Sequence, residues 1–146
     1  MPRVMIVEDD LTILENLSQL LQLNGLSVAQ AHDGQMALDY LRHPQNQGVA
    51  APQMIVSDLM MPKMDGFELL RAVRDDSALK HLPFVLLSAR SDSSDLQQAF
   101  MLGANDYLVK PFEVEQLIDV IRHHLARATG SNQHSLGQVD SDFYLE

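Results

Sequence analysis

Five short runs of mostly apolar residues punctuate the chain: RVMIV (3–7), LSVAQA (26–31), QMIVS (53–57), FVLLS (84–88) and DYLV (106–109). All but the second are nearly continuous in apolar side chains, as expected of strands covered on both faces, whereas SVAQA alternates and reads as a sheet edge. The segments between them carry apolar residues at helical spacing: Leu14, Leu17 and Leu21, then Ala37, Tyr40 and Leu41, then Phe67, Leu70 and Val73. In the last segment Val114, Leu117, Ile118, Ile121 and Leu125 form one stripe fit for burial. Capping residues stand where helices should begin: Asp10 or Thr12, the latter forming a capping box with Glu15, then Asp33, then Ser91 or Asp92.

Strand and helix thus alternate five times, which predicts an α/β fold: a doubly wound parallel sheet with helices on both faces. The expected strand order is 2-1-3-4-5, and ligands of such sheets bind beyond the carboxyl ends of the strands, where the order reverses. That rule selects a few positions: Glu8, Asp9 and Asp10 after the first strand, Asp58 after the third, Ser88 after the fourth and Lys110 after the fifth.

Composition narrows the picture. At 146 residues the chain fits one domain with its own core. Ten basic against 20 acidic residues give a net charge of −10, which argues against the chain itself holding nucleic acid or an anionic membrane surface. There is no cysteine, no signal-like leader and no apolar run long enough to span a bilayer, so the expected location is the cytoplasm. The domain is expected over 1–128. Residues 129–146 read as a linker or tail whose final DFYLE looks like the start of a missing output domain; the rival readings are a single-domain regulator with a frayed tail and, for Leu145 and Glu146, a cloning scar. The segment RHPQNQGVAAP (42–52) reads as a solvated loop, and His123 and His124 as a helix end suited to the dipole.

Three carboxylates from two adjacent strand ends cannot all stay ionised in one pocket without compensation. With oxygen ligands only, a hard cation is the expected remedy: magnesium, or manganese in its place. Lys110 and Ser88 then suit phosphoryl oxygens, and the set resembles a phosphoryl-transfer site around a carboxylate nucleophile. Asp10 is better read as a helix cap than as a ligand.

The segments VMIVEDD, IVSDLMMPKMDGFELL, VLLSAR and GANDYLVKPF resemble, in order and spacing, the receiver domain of bacterial two-component response regulators, across residues 3 to 127. The resemblance implies a flavodoxin-like fold in which Asp58 accepts a phosphoryl group from a phosphohistidine of a sensor histidine kinase or phosphotransfer protein. It implies magnesium held by Glu8, Asp9, Asp58 and the backbone carbonyl of Met60, with Glu8 acting mainly through a bound water. Ser88 and Lys110 would bind the phosphoryl group, Lys110 aimed by a cis bond to Pro111, and Tyr107 would be the switch aromatic that turns inward. The face made by the fourth helix, fifth strand and fifth helix would be the output surface, used for an output domain, a target protein or a dimer. Met60 and Arg90, two residues past Asp58 and Ser88, would tune the chemistry, Arg90 either shielding the acyl phosphate or pointing outward.

Three function classes remain distinct at this point. The first is a phosphorylatable switch, whether attached to a DNA-binding output domain or acting alone as a regulator or phosphorelay shuttle. The second is a metal-dependent phosphohydrolase, disfavoured because Met60 stands where such enzymes carry a second carboxylate. The third is an interaction module without phosphorylation, disfavoured because no site residue is missing.

Overall fold

In a computed structural model, which describes residues 2–43 and 50–130, the expected alternation is complete. The elements are β1 (Arg3–Val7), α1 (Leu11–Leu23), β2 (Ser27–Ala31), α2 (Gly34–Arg42), β3 (Met54–Asp58), α3 (Gly66–Asp75), β4 (Phe84–Ser88), α4 (Ser93–Met101), β5 (Asp106–Val109) and α5 (Val114–Gly130). The five strands form one sheet in the order β2-β1-β3-β4-β5, with every neighbouring pair parallel. Most of the polar 42–52 connection and all of the tail from 131 onward lie outside the described residues.

Period-two alternation within the strands builds two cores. In β1, Met5 and Val7 face one layer while Val4 and Ile6 face the other. The first layer also takes Ile55, Leu70, Val73, Phe84 and Leu86, and the second takes Leu14, Leu21, Val56, Leu87, Leu117 and Ile121. Because both faces are covered, the central strands need apolar residues at every position, which is why they read as continuous runs. On α5 the stripe buries Leu117, Ile118, Ile121 and Leu125 as its spacing predicts, with Val114 at the helix start half-buried, and SVAQA lies at the sheet edge.

The caps differ in detail from expectation. Asp10, not Thr12, starts α1, its carboxylate accepting from the backbone N–H groups of Thr12 and Ile13 at 3.0 and 3.1 Å. Glu15 is turned instead toward the side chains of Gln19 and Gln30. Asp33 caps α2 through Met36 N–H at 2.7 Å, while Asp92 holds the N-cap position of α4 without a side-chain bond. Asp65 and Glu68 form a reciprocal capping box on α3, where the sequence had suggested only an Asp-Gly turn. Helix α5 continues to Gly130, so His123 and His124 lie within it rather than at its end, and His124 Nε2 sits 3.2 Å from Asp106 Oδ2.

Candidate functional site

The carboxyl ends of β1, β3, β4 and β5 bring the selected residues together. Asp58 is the last residue of β3 and only 6% exposed, with Glu8 just past β1 at 3% and Ser88 closing β4 fully buried. Asp9 is exposed, and carboxylate oxygens of Glu8, Asp9 and Asp58 all lie within 4.8 Å of one another. Lys110 leaves β5 toward them, its Nζ donating to Asp58 Oδ1 at 2.8 Å and lying 3.6 Å from Glu8 Oε1. The Lys110–Pro111 peptide is cis. Asp10 stands aside, its side chain taken up by α1.

Backbone contacts fix this arrangement. Leu59 N–H donates to Leu87 O and Lys110 N–H to Ser88 O, so the strand ends remain paired right up to the site. Gly66 N–H donates to Leu59 O, drawing the start of α3 against the end of β3. Ser57, fully buried, donates its hydroxyl to the Asp58 carbonyl at 2.9 Å.

The electrostatics are unbalanced: three carboxylates face one ammonium. Like charges this close repel by roughly 3 kcal/mol per pair at an effective dielectric constant near 20. Burial pushes the Asp58 carboxyl above its ordinary value, and the bond from Lys110 only partly offsets that. Burial likewise raises Glu8, partly offset by the N–H of Asp10, with Asp58 adding to the rise. For Lys110 burial alone would favour the neutral amine, but Asp58 and Glu8 outweigh it and the pKa is raised. One oxygen of Glu8 accepts from Asp10 N–H at 3.1 Å; the other, Oε1, is buried without a hydrogen bond. An all-oxygen donor set, excess negative charge and an unbonded buried carboxylate oxygen together fit a hard divalent cation.

A pH dependence follows. Groups whose folded pKa values are raised contribute stability that is fully present below their ordinary values, here 4.5 for Glu8 and 3.8 for Asp58, and lost as pH rises through the raised ones. Without divalent cations, the wild type should therefore lose stability relative to Asp58→Asn as pH rises above the ordinary Asp58 value of 3.8 and through its raised one. Urea denaturation of both proteins across a series of pH values checks this, and parallel pH slopes would contradict it.

Around this centre lie residues whose placement the sequence did not foresee. Tyr107 is 7% exposed and its hydroxyl donates to the Arg90 carbonyl at 2.8 Å, so the ring is already inward. The guanidinium of Arg90 is half-exposed but not free in solvent. It forms a two-bond pair with Asp95, Nε to Oδ2 and Nη2 to Oδ1, both at 2.7 Å. Asp95 carries no sequence signal for this pair, because an Arg and an Asp five apart across a helix start follow no helical pairing pattern. The Met60 side chain is 53% exposed, and its Sδ lies 3.7 Å from Arg90 Nη1.

Comparison with known proteins points in one direction. The sequence profile described as the response regulator receiver domain matches residues 4–122. Response regulator MprA of Mycobacterium tuberculosis is 38% identical over 145 residues, covering 99% of this chain and 60% of its own length. The MprA of Mycobacterium avium is 37% identical with the same coverage, so the chain spans about 60% of the length of these curated relatives. Among solved structures, the chemotaxis protein CheY4 of Vibrio cholerae superposes with a TM-score of 0.75 at 34% identity, over 85% of this chain and 98% of its own. The signal receiver domain of a signal transduction histidine kinase from Syntrophus aciditrophicus gives a TM-score of 0.75 at 26% identity, over 97% of this chain and all of its own.

Proposed function

This chain belongs to the response regulator receiver family, and from that premise we propose that Asp58 is its phosphoacceptor, charged by the phosphohistidine of a sensor histidine kinase or phosphotransfer protein. The observation that carries the proposal is the surrounding of Asp58: a buried carboxylate at a strand end, bonded by Lys110 and crowded by Glu8 and Asp9. Of the three carboxylates Asp58 is the one that accepts a hydrogen bond from Lys110, while Glu8 accepts from Asp10 N–H.

Each residue has a part. An Asp58 oxygen attacks phosphorus in line with the departing imidazole, and no general base is required because a carboxylate needs no deprotonation. Lys110 is within reach of the incoming phosphoryl oxygens and neutralises charge that builds on them. Ser88 offers them a hydroxyl. Glu8, Asp9, Asp58 and the Met60 carbonyl would hold magnesium, or manganese in its place, which supplies further charge neutralisation when bound. Two added negative charges beside Ser88 and Lys110 then shift the balance between packings of α4, β5 and α5, the face through which an output domain, a target protein or a second copy would be engaged. Its place of action would be the cytoplasm, beside such a kinase; among the described residues no helix is long and apolar enough to cross a membrane. Residues 1–128 would act as the receiver and 129–146 as the link to an output unit, for instance a DNA-binding transcription regulator.

Incubation with phosphoramidate and magnesium, followed by intact mass measurement, tests the chemistry. One added phosphoryl group is expected on the wild type and none on Asp58→Asn or after chelation with EDTA. An adduct that survives in Asp58→Asn would move the acceptor elsewhere.

A further inference from the structure

The amino edge of the sheet, at the opposite end of the strands from Asp58, carries a cavity that the phosphoacceptor chemistry does not use. About 380 Å³ in volume, it is lined by Pro2 before β1, Gly25 and Leu26 between α1 and β2, Gln53 before β3, and Leu125 and Ala126 near the end of α5. A Cβ at Gly25, whose φ is +85°, would meet no atom within 4 Å among the described residues, so the cavity opens over the α1–β2 turn. Leu23, at the end of α1, is 82% exposed beside it. Arg122 also lines the cavity, its Nη2 donating to Asn24 O at 2.9 Å, and none of the ion pairs among the described residues includes it.

Apolar walls with one arginine among them fit a short segment that is both apolar and acidic, and the chain carries one. Residues 131–146 read SNQHSLGQVDSDFYLE: Phe143, Tyr144 and Leu145 stand in a row, Asp142 and Glu146 flank them, Asp140 lies just before, and there is no lysine or arginine. The segment is tethered where the cavity lies, because α5 contributes Leu125 and Ala126 to the wall and ends at Gly130. From Gly130 to Phe143 the chain can span about 45 Å when extended and roughly 20 Å as a flexible linker, enough for the aromatic pair to turn back onto the cavity. A tether of that length gives an effective concentration in the roughly millimolar range, so a contact too weak to hold two molecules together can form within one.

We infer that residues 140–146 of this chain dock in this cavity, with Phe143 and Leu145 against Pro2, Leu26 and Leu125 and an acidic side chain of the segment on Arg122. The link that leaves α5 is then anchored at the amino edge of the sheet, beside the helix from which it departs. A change in the packing of α5 would reach the anchored segment directly, with no contact at the phosphoacceptor end. The inference does not depend on Asp58 being the phosphoacceptor, so either reading can fail without the other.

The test is NMR on the full chain, uniformly labelled with heavy nitrogen. Phe143→Ala combined with Leu145→Ala should shift the amide signals of Asn24, Gly25, Leu26 and Gln53 and leave those of Asp58 and α4 in place. Arg122→Glu, a change at an exposed position, should move the signals of residues 140–146. Ser141→Cys, in a chain that has no cysteine of its own, takes a nitroxide. That label should broaden Asn24, Gly25 and Leu26 at least about twofold more in the otherwise wild-type chain than with Phe143→Ala and Leu145→Ala added. Equal broadening in the two overturns the inference, as do shifts confined to residues 131–146 or shifts at Phe100 and Met101 on α4. Broadening of the same signals when the nitroxide is on one set of molecules and the nitrogen label on another would make a second copy the occupant, and overturn docking within one chain.

Discussion

Replacing Arg74 with alanine is expected to destabilise the domain by about 3 kcal/mol and lower its unfolding midpoint by about 10 °C, the largest stability effect of any charged residue outside the site. Arg74 leaves α3 and its guanidinium satisfies acceptors on two separate stretches of chain, 80–82 and 103–105. Nη1 donates to Leu82 O at 2.7 Å and Lys80 O at 3.0 Å, Nη2 to Gly103 O at 2.8 Å and Asn105 Oδ1 at 3.0 Å, and Nε again to Gly103 O. Among the described residues no carboxylate shares the work, and burial pushes its pKa down without removing a charge that arginine cannot lose. Truncation would strand these carbonyls between α3, the approach to β4 and the turn from α4 to β5. Gly103 is adapted to this contact: its φ is +101°, and a Cβ there would sit 2.9 Å from Arg74 Nε. Lysine should recover little, because it lacks the fork, whereas exposed Arg71→Ala should stay within about 0.5 kcal/mol of wild type. Urea denaturation of the three variants decides it, and similar losses for Arg71→Ala and Arg74→Ala would contradict this account.

The contrast between Arg74 and the strands shows what the sequence made legible. A buried strand repeats its apolar character locally, so β1, β3 and β4 could be read from five residues each, and the alternation in SVAQA marked the edge. The order of the sheet and the place of the site followed from connection rules, which is why Glu8, Asp9, Asp58, Ser88 and Lys110 could be named before any coordinates. Arg74 had no comparable signal, because its acceptors are mostly main-chain carbonyls 6, 8 and 29 residues away, and every residue has a carbonyl. The Arg90–Asp95 pair was hidden for a similar reason: it spans a loop and a helix start. The Asp65–Glu68 capping box did have a signature, an acidic residue followed three later by glutamate, but Asp-Gly is also a turn signal and that reading masked it. The inward ring of Tyr107 depends on a carbonyl 17 residues away and could only be seen in three dimensions.

Gly66→Ala should reduce phosphoryl uptake on Asp58 by about a hundredfold, an effect out of proportion to one methyl group. A Cβ at Gly66 would lie 2.7 Å from the Asp58 carbonyl oxygen, 2.7 Å from Leu86 Cδ2 and 2.8 Å from Leu59 Cα. Two of those three atoms are backbone, held by the Leu59–Leu87 and Gly66–Leu59 hydrogen bonds, so they can yield only by moving the strand end that carries the phosphoacceptor. A shift approaching 1 Å there would disturb the 2.8 Å contact between Asp58 and Lys110 and the spacing to Glu8 and Asp9, on which the proposed chemistry depends. Gly34→Ala is the informative control. Its Cβ would come just as close, 2.7 Å to Sδ, 2.8 Å to Cγ and 3.0 Å to Cβ of Met64, but these are atoms of one half-buried side chain and not the backbone of the strand that carries Asp58. Gly34→Ala should therefore keep uptake within about threefold of wild type, and its unfolding midpoint should move less than that of Gly66→Ala. Initial rates with phosphoramidate and magnesium measure the first difference, and urea denaturation the second. If Gly66→Ala were destabilised but phosphorylated at the wild-type rate, the start of α3 would be support for the fold and not for the placement of Asp58. A hundredfold loss in a variant still folded at the assay temperature would instead place Gly66 among the residues that set the geometry of the site.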